Sequence, residues 1–502
     1  MTVPDVDWKQ LDRRTVIVSS LSAAGVCVAA GVPAGIGFGG GTSPGLAVAI
    51  IVPVALVIIA AVAVGDYVRW RKTRYRVLAD RVQLNKGIVV RSRRSLSRER
   101  IRSVDLTAGP LLRYFGLVNV KIGTGEQTEA GTSSLMLNPV TKEEAERLRT
   151  ELLDREPVAE SPGHRTGLLA QIDLRWIRFA PMSFLTPTLG VAAFGAVLQA
   201  SEWFGLQQGV ISWTIDLMSE LHLVVAILVL IAVGMIVGVI GSSALFVEMW
   251  WQFRLEREPG GTLRVRRGLL TSRSISLEEK RLRGVELVEP LGNRLVGAAR
   301  IDAVATGLVQ QKDNENSDHK TLLPAAPKDE VDRVAADVLR EEVSPTSSVR
   351  LAGHPVAARG RRIRWGLASA AAVVMPLLVL GWVLSVQVLL HLAWISAVVL
   401  VPVSVVLAID AYRNLGHGIT GDYLVARSGS VRRGTVALQR RGVIGLTARQ
   451  SIFQRRKGLI TLTATTAAGA GAYSVHDVGE SEGLAFADTA VPDLFGPFLE
   501  RR

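Results

Sequence analysis

"RYFGLVNVKIG" (residues 113–123) sets an arginine three positions before a glycine and then alternates apolar with polar residues. Val118, Val120 and Ile122 fall on one side, Asn119 and Lys121 on the other. Period two with one wet face marks a half-buried antiparallel strand. The glycine ahead of it suits a turn that needs positive φ or close backbone approach. The same arrangement returns twice: Arg294 and Gly297 precede Ala299, Ile301 and Ala303, and Arg455 and Gly458 precede Ile460, Leu462 and Ala464.

Each of these glycines lies 29 positions after an earlier one: Gly87 before Gly116, Gly268 before Gly297, Gly429 before Gly458. Apolar residues keep phase between them, at Leu96, Leu277 and Leu438, at Ile101, Leu282 and Val443, and at Val104, Val285 and Leu446. A shared period of this kind reveals duplication, so the polar segments are three diverged copies of one domain. The first copy ends in "TKEEAERLRTELL" (141–153), where Thr141 and Glu144 form a capping-box pattern and Ala145, Leu148 and Leu152 share a helical face. "PKDEVDRVAADVLR" (327–340) repeats the pattern, whereas Pro492 and Pro497 interrupt the third tail and predict a shorter or distorted helix. Each copy therefore reads as a small β domain closed by an amphipathic helix.

Between the copies lie apolar runs. Of 502 residues 48% are hydrophobic, high for a soluble chain. About six stretches, near 15–37, 45–65, 180–200, 222–247, 364–384 and 386–409, are long enough to span a bilayer as helices. They come in pairs, each followed by one copy. The first run resembles a signal peptide in having Arg13 and Arg14 ahead of it, but its length and the second span close behind favour a retained hairpin. The hairpin turns carry few or no basic residues, while "RWRKTRYR" (69–76), Arg175, Arg178, "RGRRIR" (359–364) and Arg413 lie on the other side. By the positive-inside rule both termini and all three copies are expected in the cytoplasm. Each second helix ends in an acid, aromatics and bases, and Tyr67, Trp70, Trp250, Trp251 and Tyr412 are expected as interfacial anchors.

No pattern for catalysis emerges. The seven histidines are scattered without ligand spacing, the single Cys27 excludes an intramolecular disulfide, and neither a phosphate loop nor a nucleophile elbow is present. No enzyme activity, metal or cofactor is expected. Prolines in the spans offer the kinks a carrier needs but come without charged companions, which argues against transport and keeps a channel or transporter component only as the alternative function. The net charge of +13 concentrates in the polar segments. Candidate contacts to an anionic lipid surface or an acidic partner are Arg91, Arg93, Arg94, Arg98, Arg100, Arg113, Arg281, Arg283, Arg294, Arg440, Arg441 and Arg455. The basic runs lack interleaved aromatics, so nucleic acid is not expected.

The order of hairpin, basic-aromatic junction, "YRVLADRVQLNKGIVVRSRRSLSRERIRSVDL" (75–106) and "RYFGLVNVKIGTG" (113–125) resembles the membrane-flanked bacterial PH-domain proteins of the YdbT type. The resemblance implies six transmembrane helices in three hairpins, each followed by a cytoplasmic PH-like β-sandwich or barrel with a C-terminal helix. It also implies a multi-pass plasma-membrane protein without catalytic residues, with links among relatives to tolerance of antimicrobial peptides. The expected function is a non-catalytic scaffold or sensor at the anionic leaflet, with a protein partner such as a related small PH-domain membrane protein. The expected division is a tail and hairpin over 1–68, PH-like domains over 69–155, 250–342 and 411–502, linkers over 156–178 and 343–363, and hairpins over 179–249 and 364–410. Two departures stand out: a longer loop at "VQQKDNENSDHK" (309–320), and Gly442 where the other copies have Arg100 and Arg281.

Overall fold

The computed structural model describes residues 8–39, 44–87, 92–101, 103–123, 134–153, 167–219, 221–306 and 320–492. The chain divides into two compact units, Met1–Glu279 and Lys280–Arg502. The first holds copy 1 and the front half of copy 2; the second holds the rest.

In the first unit, β1 (Lys9–Gln10) precedes the helical hairpin of α1 (Arg14–Gly39) and α2 (Pro44–Lys72). Then come β2 (Arg74–Val77), β3 (Arg81–Lys86), β4 (Ser92–Ser97), a 3-10 turn, β5 (Ser103–Ala108), α3 (Pro110–Tyr114), β6 (Leu117–Gly123), β7 (Ser134–Thr141) and α4 (Lys142–Leu153). Strands β1 to β4 form one antiparallel sheet in that order. Tyr75, Val82 and Leu84 from it meet Val104, Val120, Ile122 and Leu137 from β5 to β7, and α4 closes the sandwich with Ala145, Leu148 and Leu152. Each such side chain removed from water contributes roughly 1.5–3 kcal/mol, so the alternation seen in the sequence is the core itself. Gly116, Gly297 and Gly458 take φ of +69, +70 and +60, as the turn before the strand requires.

Copy 2 begins with β8 (Gly167–Gln171), a 3-10 segment (Leu174–Met182), α5 (Leu185–Trp203), α6 (Gln207–Ser219), α7 (Leu223–Trp250), β9 (Arg254–Glu258), β10 (Thr262–Arg267) and β11 (Ser272–Glu278). Its strands extend copy 1's second sheet, in the order β7-β6-β5-β11-β10-β9-β8. In the second unit β12 (Leu282–Pro290), α8 (Leu291–Leu295), β13 (Ala298–Ala305), β14 (Thr321–Pro327), α9 (Lys328–Leu339) and α10 (Pro345–Ser348) complete copy 2. The hairpin of α11 (Val356–Val383) and α12 (Gln387–Arg413) leads to β15 (Gly416–Thr420), β16 (Tyr423–Ser428), β17 (Arg432–Gln439) and β18 (Gly445–Arg449). The chain continues through α13 (Ile452–Arg455), β19 (Leu459–Thr465), β20 (Ala472–Gly479) and α14 (Glu480–Ala490). Here the order is β14-β13-β12-β17-β16-β15, with β18-β19-β20 as a separate sheet.

The copies are thus joined edge to edge rather than strung as separate beads. The two joints share one register. Leu277, nine positions after its first glycine, pairs with Ser103, sixteen after its own; Leu438 pairs with Gly284 at the same two positions. Gly284 is required there, since a Cβ on it would lie 1.9 Å from the Ala437 carbonyl oxygen.

The structure adds detail to several expectations. Among the described residues five helices, α1, α2, α7, α11 and α12, are long and apolar enough to cross a membrane. The segment Leu174–Met182 and α5 meet that test only together, across a 74° bend. Pro181 and Pro187 flank the break and remove backbone donors from it. Residues 201–221, read as a plain hairpin turn, contain α6. Helix α5 packs on α7 at glycine: a Cβ on Gly190 would lie 2.1 Å from the Gly234 oxygen, and Thr186 Oγ1 bonds Ser242 Oγ at 3.1 Å. The segments read as tail and linkers carry strand pairing ahead of each hairpin, through β1, β8 and the Ala352–His417 bridge. In copy 2 the polar side of the strand after the turn is dry at Asp302, which is buried and held by Arg300 at 3.3 Å, Lys320 at 3.4 Å and the Thr321 hydroxyl at 3.0 Å, while Arg300 itself stays partly exposed. Helix α14 ends ahead of Pro492, one residue shorter than α4 and α9. Most of the 309–320 loop lies outside the described residues, as does Pro497.

Candidate functional site: a basic cleft at the first joint

A residue's place in the copy decides its role. Arg98 and Arg440 occupy the same position, eleven after the first glycine. Arg440 donates to the Ala490 and Thr489 carbonyls at 2.8 and 2.7 Å, and Arg98 donates to the Ala79 and Glu151 carbonyls. Each guanidinium therefore caps the end of its closing helix, where carbonyls lack intrahelical partners. Arg113 donates to the Leu269 carbonyl, and Arg294 pairs with Asp410 at 2.7 Å. In both cases the arginine of one copy reaches the loop or helix end of the next. Arg455, in the last copy, is exposed. Arg93, Arg94 and Arg441 are exposed, Arg100 is exposed on the 3-10 turn after β4, and Arg281 is partly exposed. The Arg283 stem lies 3.0 Å from where a Gly442 Cβ would stand, which explains the glycine there. Arg91 lies outside the described residues.

The helix-end acids tie the β hairpin to the span. Glu248 accepts from the Leu270 and Thr271 amides at 2.8 and 3.1 Å, and Asp410 accepts from the Ser430 hydroxyl at 2.7 Å. Of the aromatic residues expected at the interface, Tyr67 and Trp251 are exposed. Trp70 donates its indole N–H to the Leu11 carbonyl at 2.7 Å, and Tyr412 donates to the His354 carbonyl at 3.0 Å. Trp250 is buried beneath the Arg267 guanidinium, 4.2 Å from its ring centroid, against Phe253. Trp70 and Tyr412 are thus tied to the segments ahead of their hairpins and pack against buried clusters of the domains, and Trp250 is itself buried.

At the end of α7, the first joint forms a cleft of about 700 Å³. Its floor is the β5–β11 seam, and α4 and β9–β10 form its walls. Seven cationic residues line it, among them Arg113, Lys142, Arg254 and Arg266, against one carboxylate, Glu146. Arg264 is neutralised inside the wall: it reaches Glu146 at 2.5 Å and Glu258 at 3.1 Å, while Arg149 bonds the same two acids at 2.9 and 2.6 Å. Burial raises the Glu146 carboxyl, but the hydrogen bonds from Arg264 and Arg149 outweigh it and hold the group below the usual range. Arg254 and Arg266 lie outside this network. They are exposed and directly opposite one another on β9 and β10, an arrangement of like charges that destabilises a sheet unless an anion sits between them. In the second unit the corresponding groove is filled, by α10 packed on α9, β16 and β17 and by the Glu289–Arg433 pair at 2.6 Å.

Of the arginines singled out in the sequence, Arg113 alone among the described residues lines this cleft. Arg254 and Arg266 are selected by their pairing across two strands, a signal that no local pattern in the sequence carries. The scattered histidines also meet: His354 Nε2 and His417 Nδ1 stand 3.1 Å apart in the second unit, brought together by the strand ahead of the hairpin.

Residues 36–156, 196–342 and 368–491 each match the family model described as Bacterial PH domain. The chain is 22% identical over 437 residues to the UPF0699 transmembrane protein YdbT of Bacillus subtilis (strain 168), covering 83% of this chain and 84% of the relative. No solved structure matches it. Three repeats with one register and one turn geometry, matched over most of the sequence, place the protein in the bacterial PH domain family, as a membrane member that carries the domain three times.

Proposed function

We propose that the protein is a non-catalytic membrane scaffold of six spans in three hairpins, whose PH-like repeats lie on the cytoplasmic face and hold an anionic phospholipid headgroup in the cleft of the first joint. The observation that carries this reading is the Arg254–Arg266 pair, two exposed cations opposed on neighbouring strands beside the end of α7. A phosphate oxygen between them relieves their repulsion through charge-assisted hydrogen bonds. The placement suits a lipid: Trp251 is exposed at the cleft, and the Gly268 amide donates to its carbonyl at 2.9 Å, which holds the β10–β11 loop at the helix end. Further apolar side chains are exposed on the repeated turns, at Tyr114 in α3, Leu295 in α8 and Ile452 in α13. Arg14, at the start of α1, donates to the Phe115 carbonyl at 3.2 Å, so α3 lies level with the start of a span and Tyr114 can seat among headgroups.

The test is retention of lipid by the full chain. Protein purified in mild detergent is analysed by native mass spectrometry, beside an Arg254→Gln/Arg266→Gln variant. Each cation near an anionic headgroup contributes roughly 1 kcal/mol, so the variant is expected to hold anionic phospholipid about 30-fold less tightly, with zwitterionic lipid unaffected. Equal retention of anionic lipid by both proteins would refute the assignment.

A further inference from the structure

The pairing between copies follows one rule, and among the described residues it leaves one strand of copy 1 and one of copy 3 unmatched. At each joint, the fourth strand of one copy pairs antiparallel with the third strand of the next: β5 with β11, and β12 with β17. The third strand of copy 1 is β4, the outer strand of its sheet. The fourth strand of copy 3 is β18, also outermost. Among the described residues no strand pairs with the far side of either. An unpaired edge is a template for another strand, and these two are the two halves of the same joint.

We propose that β18 of one chain pairs with β4 of a second copy of this chain, giving head-to-tail assembly in the plane of the membrane. The register is fixed by the internal joints. Ala448, nineteen positions after its first glycine, falls opposite Arg93, six after its own, as Leu287 falls opposite Thr435. Leu96 then falls opposite Gly445, as Leu277 does opposite Ser103. Five residues of β18 face five of β4, and Arg93 and Ala448 are exposed.

A second contact follows the same relation. Arg113 reaches the loop docked on the end of α7, and Arg294 reaches Asp410 at the end of α12. Arg455 stands at the equivalent position of copy 3 and is exposed, and Asp66, near the end of α2, is the corresponding acid of copy 1. Asp66 meets Arg69 at 3.7 Å, a loose pair on one helix. The assembly is heterologous, so it closes into a ring or extends according to the rotation per chain. It does not depend on the lipid reading.

The experiment uses full-length chains in native membranes, with Cys27→Ser as background. One tagged chain carries Ala448→Cys and a differently tagged chain carries Arg93→Cys. Residues opposed in an antiparallel pair have Cα atoms about 4.5–5.5 Å apart, within disulfide range. Mild oxidation is expected to link the two tags at least roughly tenfold more than when Ser97→Cys replaces Arg93→Cys, which moves the thiol about 13 Å along the strand. Arg455→Asp on the first chain is expected to lower the yield, and Asp66→Arg on the second to restore it. Equal yields from the two cysteine positions, no linkage between the tags, or linkage of Ala448→Cys to a different protein in their place would each overturn the proposal.

Discussion

The second joint rests on a pair whose removal can be read strand by strand. Glu289 on β12 is almost fully buried and accepts two hydrogen bonds from Arg433 on β17, at 2.7 and 2.6 Å. Glu289→Ala leaves Arg433 with Asn414 Oδ1 at 3.2 Å. Breaking a buried pair from one side costs about 3–5 kcal/mol, and the remaining partner and partial exposure of Arg433 place this case near the lower limit, about 3 kcal/mol. That free energy corresponds to an opening of the seam about 100- to 200-fold more frequent. Hydrogen exchange read by mass spectrometry on peptides covering β12 and β17 measures it directly. An internal control lies on the same seam: Glu286 meets Arg432 at 3.0 Å, but the Arg432 side chain is 51% exposed. Glu286→Ala is therefore expected to stay below about 1 kcal/mol, or roughly fivefold in exchange. If the two substitutions accelerate exchange equally, or if Glu289→Ala leaves the seam unchanged, the joint is not held as described.

Two titrations act in opposite directions in the two units. Burial in β5 pushes the Asp105 carboxyl up to about 7, with Lys121 opposing. The folded state thus favours the protonated form, and stability is full below the unfolded value near 4 and falls as pH rises through 7, by up to about 4 kcal/mol. Asp105→Asn is expected to make the first unit more resistant to pulse proteolysis at pH 8 and to change little at pH 4. In the second unit burial, with the charge of His354 adding to it, lowers the His417 imidazole to about 4. Its contribution is present above pH 6.5 and is lost as pH falls towards 4, by about 3 kcal/mol. His417→Leu is expected to flatten that acid limb in the same assay.

What was legible in the sequence was whatever one strand or helix writes locally. The alternation around Val118, Val120 and Ile122 gave β6, and the stripe of Ala145, Leu148 and Leu152 gave the closing helix. The joints were not legible. β5 and β11 are separated by a helical hairpin, and nothing local in "SVDLTA" or "SRSISLE" says which edge each will meet. Strands of two to five residues ahead of each hairpin are too short to show a period. For the same reason the capping roles of Arg98 and Arg440 were hidden, since their carbonyl partners on α4 and α14 lie about 50 residues away in sequence.

The site inherits this dependence on the joint. Lys142 and Glu146 stand on α4 of copy 1, whereas Arg254 and Arg266 stand on β9 and β10 of copy 2. An anion that contacts both sets binds the joined state and not the parted one, so its binding free energy adds to the stability of the seam. At the second joint a protein carboxylate, Glu289, already occupies that role opposite Arg433, and α10 covers the groove. The two joints thus solve one electrostatic problem in two ways, with an internal acid at one and an open cationic cleft at the other. On the proposed lipid reading the first seam draws its counter-charge from the membrane and is sensitive to headgroup composition, whereas the second is indifferent to it. Depleting anionic lipid should therefore loosen β5 and β11 without altering β12 and β17, a difference that neither generic surface charge nor a purely structural repeat produces.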